Sequence, residues 1–199
     1  TKTSFLDFGG GFAFAAVEGV TVAAWVRHDS FPNWGNILDL RDADDSNRIL
    51  LQTIEATRRA RWFIKNEGTH KWLDTPASPA SALFFPPAGA WAHVAATAAA
   101  GAASGGAYAL YRDGATQGGW TKTYDTVAPN PGAVAYTHAA LGRDDAGSYH
   151  YFDGTLHKVE ACKLVPCDWS HCKNPWLGRY NGRVGCDAER PIFVMDGVG

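Results

Sequence analysis

Apolar residues in this chain come in short runs, many alternating with polar ones, and Gly, Pro, Asn or Asp closes almost every run. Period-2 alternation with that punctuation is the signature of half-buried strands, because successive side chains of a strand point to opposite faces. The pattern predicts strands at VTVAAWVR (20–27), NILDL (36–40), RILLQTI (48–54), RWFIKN (61–66), AWAHVAAT (90–97) and AYALYRDG (107–114). Their sum is an all-β, two-sheet sandwich. Asp113-Gly114 between AYALYR and ATQGGW predicts a tight hairpin, since Asp and Gly tolerate the positive φ angles of the primed turns. The Ala-rich TAAAGAASGGAY reads as a loop because glycines interrupt it. DTPASPASALFFPPAGA has too many prolines for a ladder and is expected to wander over the surface. No repeat of fixed period appears. Trp25, Trp91, Val94, Leu110, Leu141, Leu156 and Val159 are expected in the core of that sandwich.

Composition sharpens this picture. With 46% hydrophobic and 19% charged residues among 199, the chain is globular, and 22 Gly, 10 Pro and 13% aromatics favour strands and turns over helices. A net charge of -2 offers no basic face for displacing the counterions of nucleic acid, so no nucleic acid is expected as partner. No run approaches the ~18 apolar residues of a membrane helix, so no membrane insertion is expected. Thr1 opens the chain without a charged-then-apolar leader, as in a chain that is mature or excised from something longer.

All four cysteines, Cys162, Cys167, Cys172 and Cys186, lie in the last quarter. Their spacing fits a zinc knuckle badly, whereas an even count in a Gly- and Trp-rich segment poor in aliphatics is how a small region without its own core is held by disulfides. Oxidised cysteines predict a secreted or cell-surface protein. Three pairings stay open.

The order of SFLDFGG, GVTVAAWVRHDSFPNWGNILDL, NRILLQTI, WAHVAAT, AYALYRDGA and ALGRDDAGSYHYFDGTLHKVEACKL resembles the laminin-G-like and pentraxin-like domains of the concanavalin A-like lectin/glucanase superfamily. The resemblance implies an antiparallel jelly roll over residues 1–165, with 166–199 as a Cys-rich C-terminal extension or a link to a following module. In pentraxin-like relatives two loops coordinate calcium. The matching positions are Asp44, Asp45, Ser46 and Asn47 on one loop and Asp144 and Asp145 on the other, so calcium is the implied cofactor. Oxygen ligands from two polar loops suit that ion. Arg143 and Arg48 are the competing counter-charges. A second implied calcium, at Asp153 and the DFGG loop, competes with a plain FDG turn.

The same superfamily contains glycoside hydrolases, which need two carboxylates facing one cavity. Its hydrolases carry Glu-x-Asp-x-Glu along a strand. No Glu-x-Asp-x-Glu occurs here: of the five glutamates, Glu18, Glu55, Glu67, Glu160 and Glu189, only Glu189 has an acid two residues away, Asp187 in the Cys-rich tail, and Asp42-Ala43-Asp44 lies in a turn. G-x-S-x-G, Walker and H-E-x-x-H motifs are absent as well. His93 and His157 read as structural. The expectation is therefore a non-catalytic module that recognises glycan or another extracellular matrix or cell-wall component. The alternative is a structural or adhesion module contacting neighbouring domains of a larger protein.

Sugars stack their C–H faces on indole and phenol rings and hydrogen-bond to polar neighbours. Trp34, Trp72, Trp120 and Tyr149, in or beside polar turns, are the candidate ligand-binding aromatics. Arg58, Arg59 and Arg61, with Lys65 and Lys71, form the densest basic run. They are candidates for charge-assisted bonds to sulfated or carboxylated polysaccharide.

Overall fold

A computed structural model describes residues 6–9, 12–13, 19–67, 69–77, 83–98, 108–116, 121–122, 135–143, 150–164 and 191–195. Within them the strands, in chain order, are β1 (Leu6–Gly9), β2 (Phe12–Ala13), β3 (Gly19–His28), β4 (Asn36–Arg41), β5 (Arg48–Ile54), β6 (Arg59–Asn66), β7 (Thr69–Asp74), β8 (Trp91–Ala98), β9 (Tyr108–Arg112), β10 (Ala115–Thr116), β11 (Thr121–Lys122), β12 (Ala135–Tyr136), β13 (His138–Leu141), β14 (Gly154–Leu164) and β15 (Pro191–Met195). Two antiparallel sheets dominate. The seven-stranded sheet runs β1-β13-β4-β5-β6-β7-β11 and the six-stranded sheet β10-β9-β8-β3-β14-β15, while β12 pairs with β2. No helix among the described residues is long and apolar enough to cross a membrane.

Alternation decides which side chains fill the space between the sheets. From the seven-stranded sheet come Leu38, Leu40, Ile49, Leu51, Trp62, Ile64, Leu73 and Leu141; from the six-stranded sheet come Val22, Ala24, Val26, Ala92, Val94, Ala96, Leu110, Leu156 and Val159. Five expected core residues, Val94, Leu110, Leu141, Leu156 and Val159, are there. Trp25 and Trp91 are not, being 41% and 43% exposed. Their neighbours Ala24, Val26 and Ala92 point inward, so the pleat turns both indoles to the outer face. The large rings of this core are instead Trp62, Tyr136, Phe84 and Phe85, against which β3 and β8 present small residues.

The predicted hairpin forms, with Ala115 opposite Arg112 and with Asp113 and Gly114 at φ 51° and 79°, as a type I′ turn requires. The proline-rich segment departs from expectation at its end. Phe84 and Phe85 are fully buried, and Arg112 Nη1 donates to the carbonyls of Leu83 and Phe84 at 2.7 and 2.8 Å, tying the segment down. Of TAAAGAASGGAY, only Thr97, Ala98 and Tyr108 are described, all in strands; residues 99–107 lie outside. β15, within the expected extension, pairs with β14, so the chain beyond 165 contributes the last strand of the six-stranded sheet. Cys162 lies in β14, and Cys167, Cys172 and Cys186 lie outside the described residues.

Candidate functional site

The register of the seven-stranded sheet orders its outer face into three rows. The first is Asn36, Gln52, Arg61 and Asp74; the second is Ala140, Asp39, Leu50, Phe63 and Trp72; the third is His138, Arg41, Arg48 and Lys65. Although they point away from the core, Asn36, Asp39, Leu50, Gln52 and Asp74 are all buried. They form the polar floor of this face, a recess that the longer side chains largely cover. Longer side chains of the same face stand around it, with Arg48, Arg61, Phe63, Lys65 and Trp72 half-buried.

Trp34 reaches this recess from the turn before β4. The Thr53 hydroxyl organises the turn, accepting from Gly35 N at 2.9 Å and donating to the Pro32 carbonyl at 3.0 Å. The price of the geometry is a left-handed Trp34, at φ 61°, which is unfavourable for a bulky residue and, where it persists, marks a position the surroundings dictate. The result is a three-part stack. The Arg61 guanidinium lies 5.0 Å from the Trp34 ring centroid and 4.8 Å from that of Trp72, and Phe63 stacks on Trp72 with centroids 6.3 Å apart. Arg61 is itself fixed by two 2.7 Å bonds to the Asp74 carboxylate. Three of the predicted ligand residues, Trp34, Arg61 and Trp72, are thus one cluster although the sequence separates them. Trp120 and Tyr149 lie outside the described residues.

Sequence inspection missed Asn36 and Gln52, which sit side by side across β4 and β5 next to Arg61. Asn36 is 1% exposed, and among the described residues neither its Nδ2 nor its Oδ1 has a hydrogen-bond partner. Buried amides are nearly always satisfied, so one that is not marks a place where a partner is wanted. Alternation in NILDL would put Asn36 and Asp39 on opposite faces; an irregularity between Asn36 and Leu38 brings Asn36 to the recess side, and nothing in the sequence signals it.

Two further members of the basic run, Arg59 and Arg58, are buried or half-buried, and the Lys71 side chain lies outside the described residues. Arg59 is buried, donates to the Thr75 carbonyl at 2.8 Å and pairs with Glu55. Arg58 is half-buried, and its carbonyl accepts from Phe85 N at 2.9 Å. The acidic turn behaves similarly. Asp45, at φ 57°, is held by Lys65 Nζ at 3.1 Å with Arg48 at 3.9 Å, and Asn47 donates to Asp42 at 2.6 Å while accepting from Glu67 N at 3.3 Å. Asp44 is exposed, and the bond its Oδ1 accepts from Ser46 N draws its carboxyl below the usual carboxylate range. Among the described residues no group of three or more His, Cys, Asp and Glu side chains is placed to hold a metal. Asp144 and Asp145, the other half of the expected calcium site, lie outside the described residues. Asp153 accepts from the Ser30 hydroxyl at 2.5 Å, consistent with a structural turn.

The opposite sheet carries a second aromatic surface. Trp25 lies edge-on to His93 at 5.4 Å, and Trp91 lies near His157 at 6.5 Å and beneath Arg27 at 5.4 Å.

These features define a lectin-like β-sandwich with a polar, aromatic recess on one outer face. The laminin-G-type model of the concanavalin A-like lectin/glucanases superfamily matches residues 3–164, and the chain belongs to that superfamily. No curated protein matches it in sequence. Among solved structures it is similar to the LG4-5 domains of the mouse laminin alpha1 chain, with TM-score 0.55, 14% identity and coverage of 100% of this chain and 44% of that one. The full-length tailspike protein 2 of Escherichia coli O157:H7 bacteriophage CAB120 gives TM-score 0.52 at 14% identity, over 78% of this chain and 21% of that one. The LG1-3 region of the laminin alpha2 chain gives 0.51 at 12% identity, over 79% and 30%. At these identities the likeness is one of fold, and the chain spans less than half the length of each.

Proposed function

We propose that this chain is a non-catalytic extracellular recognition module that binds carbohydrate across the outer face of the seven-stranded sheet. The observation that carries the reading is the Trp34, Arg61 and Trp72 stack. Two half-buried indoles fixed by one guanidinium offer rigid apolar edges above a polar floor, which is the combination a pyranose with one C–H face and many hydroxyls requires. Catalysis is disfavoured by the floor's own carboxylates. Asp39 and Asp74 are each gripped by two 2.7 Å arginine bonds, the opposite of the apolar setting that keeps a glycosidase acid protonated. The superfamily assignment supports an extracellular setting, in which the four cysteines of the last quarter would be oxidised.

Calcium belongs to the proposal through Asp44 and the loop aspartates Asp144 and Asp145, since Asp45 already has Lys65 and Arg48 as counter-charges. A glycan array probed with the unmodified protein, Trp34→Ala and Trp72→Ala, each with calcium and with EDTA, tests both parts. Each substitution should cut retained signal by roughly tenfold, the loss expected of one stacking aromatic. Signal that survives both substitutions would sink the site, and signal indifferent to EDTA would assign the acidic turn to its salt bridges alone. The exposed Trp25 and Trp91 favour a second reading, an adhesion module contacting a neighbouring domain, which predicts no array signal at all.

A further inference from the structure

Resting on the carbohydrate reading, we infer that the recess takes neutral sugar units and not sulfated or uronic ones, with the Asn36 carboxamide bonding their hydroxyls. Charge points this way first. Arg61 is committed to Asp74 and Arg48 to Asp39, each by two 2.7 Å bonds, so the cations nearest the two amides already hold carboxylates. A sulfate entering here would meet an arginine whose bidentate face is occupied and a carboxylate beside it. Lys65 and Arg59 are likewise paired, with Asp45 and Glu55. Of the basic run that looks in sequence like a polyanion site, Arg59, Arg61 and Lys65 are thus already paired with carboxylates.

Hydrogen-bond valence points the same way. Asn36 presents one donor group and one acceptor, both unmatched, on a side chain 1% exposed. An ionised carboxylate or sulfate group only accepts, so placed at Asn36 it would meet Nδ2, leave Oδ1 bare and add negative charge to a face that already holds the Asp39 and Asp74 carboxylates; a charged sugar could offer this position only its hydroxyls. A hydroxyl both donates and accepts, and a vicinal pair or an acetamido group can satisfy both atoms. Gln52, paired across the strands with Asn36, adds a second neutral amide, and Trp34 rises from two residues before it.

The test is calorimetry of the intact chain with two neutral probes, cellohexaose and chitohexaose, and two anionic ones, heparin and polygalacturonate, at about 20 and about 200 mM NaCl, a range over which screening changes strongly. A neutral probe should bind with Kd altered by less than about twofold between the two salts, as expected where no net charge is neutralised. Asn36→Ala should weaken that binding about tenfold, the loss of one or two hydrogen bonds. Its melting temperature should hold or rise, because the amide removed has no partner in the free protein. A purely structural Asn36 would do the reverse, lowering the melting temperature and leaving binding intact, and that result overturns the inference. Preferential, salt-sensitive binding of heparin or polygalacturonate overturns it too, while leaving carbohydrate recognition standing. Silence from all four probes, together with an empty array, removes the carbohydrate reading itself.

Discussion

His28 closes β3 inside a nest of rings, 4.6 Å from Phe31, 4.4 Å from Phe85 and 4.7 Å from Phe152, and among the described residues Nε2 has no hydrogen-bond partner. Burial there disfavours the imidazolium and pulls its pKa from 6.5 down to about 3. The unfolded chain therefore binds a proton that the folded chain refuses between those values. Stability is complete above pH 6.5 and falls as pH drops through the window toward 3, by up to about 1.4 kcal/mol per unit from this group. Melting curves from pH 7 to pH 4 for the protein and His28→Leu should diverge, with the variant losing less. Parallel pH profiles would remove His28 from the account. At this same scale sequence reading could pick out Trp34, Trp72 and Arg61 as candidates, because exposed-looking aromatics and cations are visible by type, and the structure brings the three together. It failed for Asn36 and for Trp25 and Trp91, since whether an amide is partnered, or an indole faces in or out, depends on cross-strand register.

Among elements, most strands were legible because their alternation is regular; RILLQTI matches β5 from end to end. THKWLD was passed over and is β7, whose Trp72 and Asp74 complete the recess. Its single inward aliphatic, Leu73, gives too short an apolar signature to stand out, and only pairing with β6 makes it a strand. The acidic stretch that ends in FDG was weighed as a metal loop, yet its last residue has a backbone role. Gly154, at φ 156°, pairs with His28, and a Cβ there would sit 2.0 Å from the Arg27 carbonyl oxygen. The backbone at that contact has little room to yield. Gly154→Ala should cost about 1–3 kcal/mol, typical of overpacking, and lower the melting temperature by roughly 2–4 °C per kcal/mol. An unchanged melting temperature would show that β14 and β3 can separate there without loss. Three residues on, β14 carries one extra residue between His157 and Glu160, with Lys158 at φ 47°, so a bulge separates the Gly154 contact from the rest of the β3 ladder.

On the scale of the molecule, the two outer faces are not equivalent. One has a buried polar floor with an unpartnered amide and indoles fixed by an arginine; the other exposes Trp25 and Trp91 above small residues, Ala23 and Ala95 among them. The fold class was readable from alternation and turn chemistry, but the choice between faces was not, because it follows from burial of side chains contributed by β4, β5, β6 and β7 together. Ligand is expected to engage the first face. The most direct measurement is a titration of the isotope-labelled protein with an oligosaccharide from the array, following the indole Nε1–H and carboxamide signals by NMR. The account predicts that the Trp34 and Trp72 indoles and the Asn36 amide shift together and saturate at one ligand concentration, while Trp25 and Trp91 stay still. Shifts confined to Trp25 and Trp91 would contradict it and move the binding surface to the opposite sheet.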